Sequence, residues 1–369
     1  MPELSTPFQR HWQRLSVIAA ALALALAAIW WRPHFAPQQN PLLTTPQLAL
    51  EALAAKALYF NGPAQPWLLA QRPELLTAED RDLRSERSRA FAQAVANVSL
   101  FRQLDRLHRF DTVLLVGDPS QSRALLDHLV ETKDFTITYV DHTSLVFRRS
   151  APAAWSPQDL AGVRRRLGDL SKREQAEFLA LTAAKLTAAH REAEAKALLD
   201  EALTLAADSA EVWNALASYQ MDRGEFAEAL KAADRALNLD KKHLGALAVR
   251  TQVFYATKRY NEAYALSQRL VAHLPDDPNV LFKHGQIAHE AHAYKAEIRV
   301  LEKLIALAES ERRSTTGYRL YLAQAYMAAG QGKPAIENFT RVLADPELPA
   351  DQRKFSTESI ERIKSRTGL

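Results

Sequence analysis

The chain has 369 residues, 47% hydrophobic and 24% charged, a globular composition with room for two or three domains. It contains no cysteine, which excludes disulfides, thiol catalysis and cysteine metal sites. A formal net charge of +4 is too mild to argue for nucleic acid as a partner, and the scarcity of glycine, at 11, favours helix.

Residues 1–14 are polar, with Arg10, His11 and Arg14 leading into an apolar run. Leu15–Ile29 carries no charge and is closed by Trp30 and Trp31. The 17 residues from Leu15 to Trp31 reach the lower limit of the roughly 17–25 that cross a bilayer, and tryptophan suits the headgroup interface. Such a run also lacks the polar face of a core helix. The spacing predicts a single-pass transmembrane anchor at 15–31. Arg10 and Arg14 against Arg32 place residues 1–14 in the cytoplasm and the bulk of the chain outside it. A cleaved signal peptide is the competing reading, because small-x-small triplets such as Ala25-Leu26-Ala27 are present. Residues 32–46, with Pro33, Pro37, Pro41 and Pro46, read as an extended linker.

Residues 47–150 change character. A short helix is predicted over Gln47–Ala57 and a strand at Leu58–Phe60, ended by Asn61-Gly62-Pro63. Ala78–Arg109 reads as helical and arginine-rich, the arginines interleaved with Asp82, Glu86 and Asp105 as on a solvated face, with anionic lipid as a second possibility. Thr112–Val116 is a β-branched strand running into Gly117-Asp118-Pro119. Gln121–Thr132 follows as helix, and Phe135–Val140 and Ser144–Phe147 as a strand pair. The order indicates a small α/β domain. The stretch FDTVLLVGD…LLDHLVETKDFTITYVDHTSLVFRR, with Tyr139, Asp141, Val146 and Arg149, and the upstream LYFNGPAQPWLL (Leu58–Leu69), resemble the extracytoplasmic C-terminal region of bacterial dolichyl-phosphate-mannose-type membrane glycosyltransferases. The many spans and the acidic catalytic loop of those enzymes are absent. The resemblance therefore implies a domain shape and a bacterial envelope setting, and no catalytic residue; with the anchor, the expected location is the inner membrane, the bulk of the chain periplasmic.

Residues 151–158 read as a linker, and Asp159–Leu170, carrying Arg164, Arg165 and Arg166, as a leading helix. From there apolar residues recur at three- and four-residue steps. The unit from Ala210 to His243 has Trp213, Leu216 and Ala217, then Gly224, then Phe226, Ala229, Ala233, Ala236 and Leu237. It recurs at a spacing of 34 residues, with units starting near 176, 210, 244 and 278. The eighth residues are Ala183, Ala217, Thr251 and Gly285; the twentieth give Ala195, Ala229 and Ala263, with Glu297 departing. After four extra residues, Arg312–Thr315, a fifth unit starts at Thr316 with Leu322, Ala323, Tyr326, Gly330, Ala335 and Phe339. Arg250, His284, Arg319, Gln220 and Lys241 also depart from the commonest residues. Asp351–Arg366 reads as a closing helix.

These units resemble tetratricopeptide repeats. The resemblance implies a mainly α fold, a right-handed helical-hairpin solenoid over 159–369. Its concave groove is lined by positions two, five, nine, twelve and thirteen of each first helix. That mapping gives Asn214, Ser218 and Met221; Gln252 and Tyr255; Phe282, Gln286 and His289; Gln324 and Met327. Amides beside aromatic and methionine side chains suit an extended peptide.

Catalytic signatures are missing. LLVGDPSQ (Leu114–Gln121) is similar to an ATP-contacting helicase motif, but no GxxxxGK[ST] loop occurs, so a plain strand-to-helix turn with Asp118 or Ser120 as N-cap is the better reading. His284, His289, Glu290 and His292 cluster on one helix without the i, i+4 spacing and further ligand that zinc needs. No serine sits in a GxSxG elbow. The expected function is a membrane-tethered, non-enzymatic scaffold for protein–protein interaction, with no cofactor, metal or nucleic acid. The alternative is an accessory of envelope polysaccharide synthesis or protein glycosylation whose α/β domain binds a glycan or lipid-linked substrate.

Overall fold

The computed structural model describes Leu53 and residues 55–82, 85–132, 134–149, 155–156, 159–160, 170–310, 314–346 and 348–367. The predicted tail, anchor and linker over 1–46, most of the helix predicted from Gln47, and Arg164–Arg166 lie outside these residues. Among the described residues no helix is long and apolar enough to cross a membrane.

The N-terminal part is a small α/β unit. Strand β1 (Leu58–Phe60) pairs in parallel with β2 (Thr112–Val116). Strand β2 is antiparallel to β4 (Ser144–Arg149), and β4 to β3 (Phe135–Val140), giving the order β1-β2-β4-β3. Every residue of β1 and β2 is buried, as near-continuous apolar strands covered on both faces must be. Asn61 extends the pairing past β1: its side chain donates to the Val116 carbonyl (2.7 Å) and accepts from the Val116 amide (3.0 Å). Tyr59 packs among Phe91, Phe101 and Phe110 at centroid distances of 5.0, 5.0 and 5.4 Å, and its hydroxyl donates to the Phe91 carbonyl.

Helix α1 (Gln65–Gln71) follows β1. The helical stretch predicted over Ala78–Arg109 is three helices, α2 (Ala78–Arg81), α3 (Glu86–Ala94) and α4 (Val98–His108). Thr77, Ser85 and Asn97 each cap the helix that follows, so Ser85 and Asn97 restart the helix twice within the stretch. Its arginines are partly spent internally: Arg87 pairs with buried Asp80 at 2.7 Å. Between β2 and α5 (Arg123–Glu131) a short 3-10 turn occupies Pro119–Ser122. The N-cap of α5 is therefore Ser122, without a side-chain bond, and not Asp118 or Ser120.

The rest is a helical array: α6 (Lys172–Ala188), α7 (Glu192–Leu205), α8 (Ala210–Asp222), α9 (Phe226–Leu239), α10 (Leu244–Ala256), α11 (Tyr260–His273), α12 (Pro278–Glu290), α13 (Tyr294–Ser310), α14 (Thr316–Ala328), α15 (Gly332–Leu343) and α16 (Ala350–Thr367). Helices α8, α10, α12 and α14 open at the residues where the sequence units begin. Helix α6 starts four residues before Ala176, because Ser171 and Glu174 form a capping box there. The four extra residues follow a longer α13, of 17 residues against 14 in α9 and α11.

Each hairpin turns in the same way. The second residue after each first helix takes positive φ: His190, Gly224, Lys258, His292 and Gly330. In each, the next amide reaches back to a carbonyl five residues earlier, as Glu225 N to Gln220 O at 2.9 Å and Arg259 N to Phe254 O at 2.8 Å. Only two of the five turns use glycine, the residue without a steric penalty there. Close helix approach is provided by Ala183, Ala217 and Ala323 on first helices and Ala195, Ala229, Ala263 and Ala335 on second helices, all fully buried.

The α/β unit and the array share one apolar core running from Leu53 to Val253. Phe178 of α6 packs on His142 at 5.1 Å between ring centroids, and His190 Nε2 lies 3.2 Å from Asp127 of α5. Lys185 of α6 donates to the carbonyl of Gly117. Trp155, in the predicted linker, is buried, donates its amide to Ile137 of β3 at 2.8 Å and lies under the Arg191 guanidinium. The sheet thus covers the first face of the solenoid. Helix α16 covers the last, through Ile360 and Ile363 beside Phe339.

Candidate peptide-binding groove

The ten predicted groove residues fall into three environments. Asn214, Ser218, Met221 and Gln252 line a cleft of about 620 Å³ whose far wall is the β2–α5 turn, with Asp118, Pro119 and Arg123. A second cleft of about 520 Å³ continues along the same turn, from Asp118 and Gln121 to Lys283 and His284. This part of the concave surface therefore faces the protein's own α/β unit. Sequence reasoning missed it, because no local pattern tells where a separate domain docks. Asn214 is also held against α10: a Cβ on Gly245 would stand 2.8 Å from its amide nitrogen.

Five of the ten come together in one pocket of about 170 Å³. Tyr255 of α10, Phe282, Gln286 and His289 of α12, and Gln324 of α14 line it. Gly285, Glu290, Glu297, Leu301 and Tyr321, none of them in the mapping, complete it. Met327 is not part of it. It packs beside Ala323, Phe339 and Ile363, where α16 closes the array and the groove pattern ends.

The pocket has an aromatic wall and an acidic floor. Phe282 meets Tyr321 edge-on at 5.3 Å and Tyr318 at 6.0 Å. Tyr255 meets Tyr260 at 5.7 Å, and partial burial raises its phenol above the ordinary value. Glu297 is 4% exposed, yet it stands at the position that four other units fill with buried alanine. Its carboxylate faces Nδ1 of His289 at 3.2 and 3.1 Å. Burial raises its pKa, and the adjacent His289 opposes that rise. Glu297 stood out in the sequence only as a departure from alanine, not as a pocket residue.

The other histidines have structural partners. His284 is buried, hydrogen-bonded to Ser267 Oγ at 2.7 Å and stacked on Tyr264 at 5.3 Å; burial lowers its pKa. His292 bonds to the Tyr294 hydroxyl at 2.8 Å. Among the described residues no three histidine, aspartate or glutamate side chains are grouped to hold a metal ion.

In the α/β unit, Tyr139 donates to Asp141 at 2.8 Å, and Asp141 accepts from Thr143 and Ser144 in the hairpin turn. Arg149 pairs with Asp105 at 2.6 Å and lies over the ring of Phe135. The residues that carry the glycosyltransferase resemblance are thus engaged in holding the β3–β4 hairpin.

Residues 220–282 of the array, from the end of α8 into α12, match the tetratricopeptide repeat family. Solved structures similar to the chain include MamA from Desulfovibrio magneticus RS-1, 20% identical over 46% of this chain and 93% of that one, with a TM-score of 0.40. They also include YrrB, described as a TPR protein with an unusual peptide-binding site, at 14% identity, 55% and 98% coverage and a TM-score of 0.44. PilF from Pseudomonas aeruginosa is 18% identical over 53% and 92%, with a TM-score of 0.42. No curated protein matches the chain.

Proposed function

We propose that the chain is a non-enzymatic scaffold that binds an extended segment of a partner protein in the pocket between α10, α12, α13 and α14. The observation that carries this reading is convergence: Tyr255, Phe282, Gln286, His289 and Gln324 come from three successive first helices and meet at one opening. Amide side chains both donate and accept, so Gln286 and Gln324 can hold a peptide backbone while the rings receive side chains. The β2–α5 turn stands over the first units, which leaves the later units as the open part of the groove. A photo-crosslinking residue at position 324 should trap partner protein, and the same residue in place of Lys231, exposed on α9, should not. Equal trapping at both positions would mean that the concave pocket is not the contact surface.

In this reading the scaffold is tethered to a bacterial inner membrane by residues 15–31, with the repeats periplasmic. The uncharged run from Leu15 to Ile29 and the arginines before it support the tether. A C-terminal reporter that is active only outside the cytoplasm should be active, and full-length protein should sediment with membranes. A soluble species beginning near Ala28 would replace the tether with a cleaved leader.

A further inference from the structure

We infer that the pocket selects a lysine or arginine side chain of the bound segment; this rests on the concave pocket being the peptide site. Glu297 carries the argument. The matching positions of the other units, Ala195, Ala229, Ala263 and Ala335, are buried alanines packing helix against helix. A carboxylate at such a position loses solvation, a cost that alanine does not carry, so its presence calls for a partner. The partner in the fold is incomplete. One imidazole nitrogen, Nδ1 of His289, faces both carboxylate oxygens at 3.2 and 3.1 Å. A carboxylate has about four acceptor sites, and one N–H leaves most of them unfilled. Glu297 also lines the pocket, so the unfilled sites border the opening.

The walls fit the same occupant. Tyr255, Phe282 and Tyr321 present rings, and aromatic faces attract ammonium and guanidinium groups. Glu290 adds a second carboxylate at the rim. The volume of about 170 Å³ is close to that of an engineered cavity, roughly 150 Å³, that admits benzene. It accepts one side chain and not a folded element. A long aliphatic stem against the rings with its charged head toward Glu297 uses both features, whereas an acidic side chain meets two like charges.

The test uses the full chain and a phage-displayed library of random dodecapeptides. Selection on the wild type should enrich lysine or arginine at one fixed position. Replacing that residue by norleucine in the selected peptide should weaken binding to the wild type at least tenfold. On Glu297→Gln the same replacement should change binding less than twofold. Tyr321→Ala, at an exposed ring, should weaken the basic peptide severalfold and the norleucine peptide less. Peptides without a fixed basic position, or an equal norleucine penalty on wild type and Glu297→Gln, would overturn the cation selectivity and leave the groove itself standing. If the wild type enriches no peptide, the groove reading falls and this inference with it. Should Glu297→Gln fail to fold, the Tyr321→Ala comparison decides alone, an equal loss for both peptides overturning the inference.

Discussion

Lys185 of the first repeat donates its ammonium to the carbonyl of Gly117, at the end of β2, and so ties the solenoid to the sheet. The side chain is 6% exposed. Burial lowers its pKa to about 8, although Asp118 and Asp141 oppose the shift. Against an ordinary lysine this is about 3 kcal/mol of cost for keeping the charge buried.

The sign of the pH dependence follows. The unfolded chain keeps the Lys185 proton up to about 10.5, the folded chain only to about 8. Unfolding in that window takes up a proton, so stability rises with pH across it. The buried hydroxyls of Tyr59 and Tyr139, whose pKa values burial raises, act the other way above pH 10. The comparison is therefore best made between wild type and Lys185→Met. From pH 8 to 10 the wild type should gain melting temperature relative to the variant. A difference that stays constant over that range would remove the buried charge from the account.

The hairpin turns offer a second test. Lys258 sits at φ +60°, where Gly224 and Gly330 occupy the matching turns at +73°. A left-handed conformation costs a side-chain-bearing residue roughly 1–2 kcal/mol, and glycine loses part of that gain through its freer unfolded chain. Lys258→Gly should stabilise the protein by up to about 1 kcal/mol in urea unfolding. A loss of stability would show that the lysine side chain makes a contact that outweighs the backbone term.

Overpacking tests the register. Ala229 is fully buried on the second helix of its unit. Ala229→Leu should cost about 1–3 kcal/mol. Because each repeat is held by its neighbours, amide exchange should rise in α8 and α10 as well as in α9. Unchanged melting would place residue 229 outside the helix contact.

Much of the array could be read from sequence because a solenoid repeats one local solution. Ala217 and Ala229 recur as small residues at fixed spacing, and that spacing is set by the helices themselves. What could not be read is non-local. Nothing in Asp118–Gln121 reveals that this turn stands over Ser218 and Gln252. The mapping likewise placed Met327 in the groove, since it treats the last unit as open on a side that α16 closes. Tyr321 was missed because it lies between the mapped positions. Gly285 was visible as a small eighth residue and Glu297 as a departure from the pattern, but only the pocket gave them a shared meaning.

The central claim is that an extended peptide binds at the pocket lined by Tyr255, Phe282 and Gln286. Phe282 also packs between repeats, against Tyr318, so Tyr255 is the cleaner ring to remove. The direct measurement is calorimetric titration of the tightest selected dodecapeptide into full-length wild type, Tyr255→Ala and Ser218→Ala, each shown to be folded by circular dichroism. Truncating a central aromatic should cost on the order of 2 kcal/mol, about 30-fold in Kd. Ser218→Ala, under the β2–α5 turn, should bind as the wild type does. A Tyr255→Ala protein within twofold of wild type, or a larger loss from Ser218→Ala, would contradict the claim and move the binding surface away from this pocket.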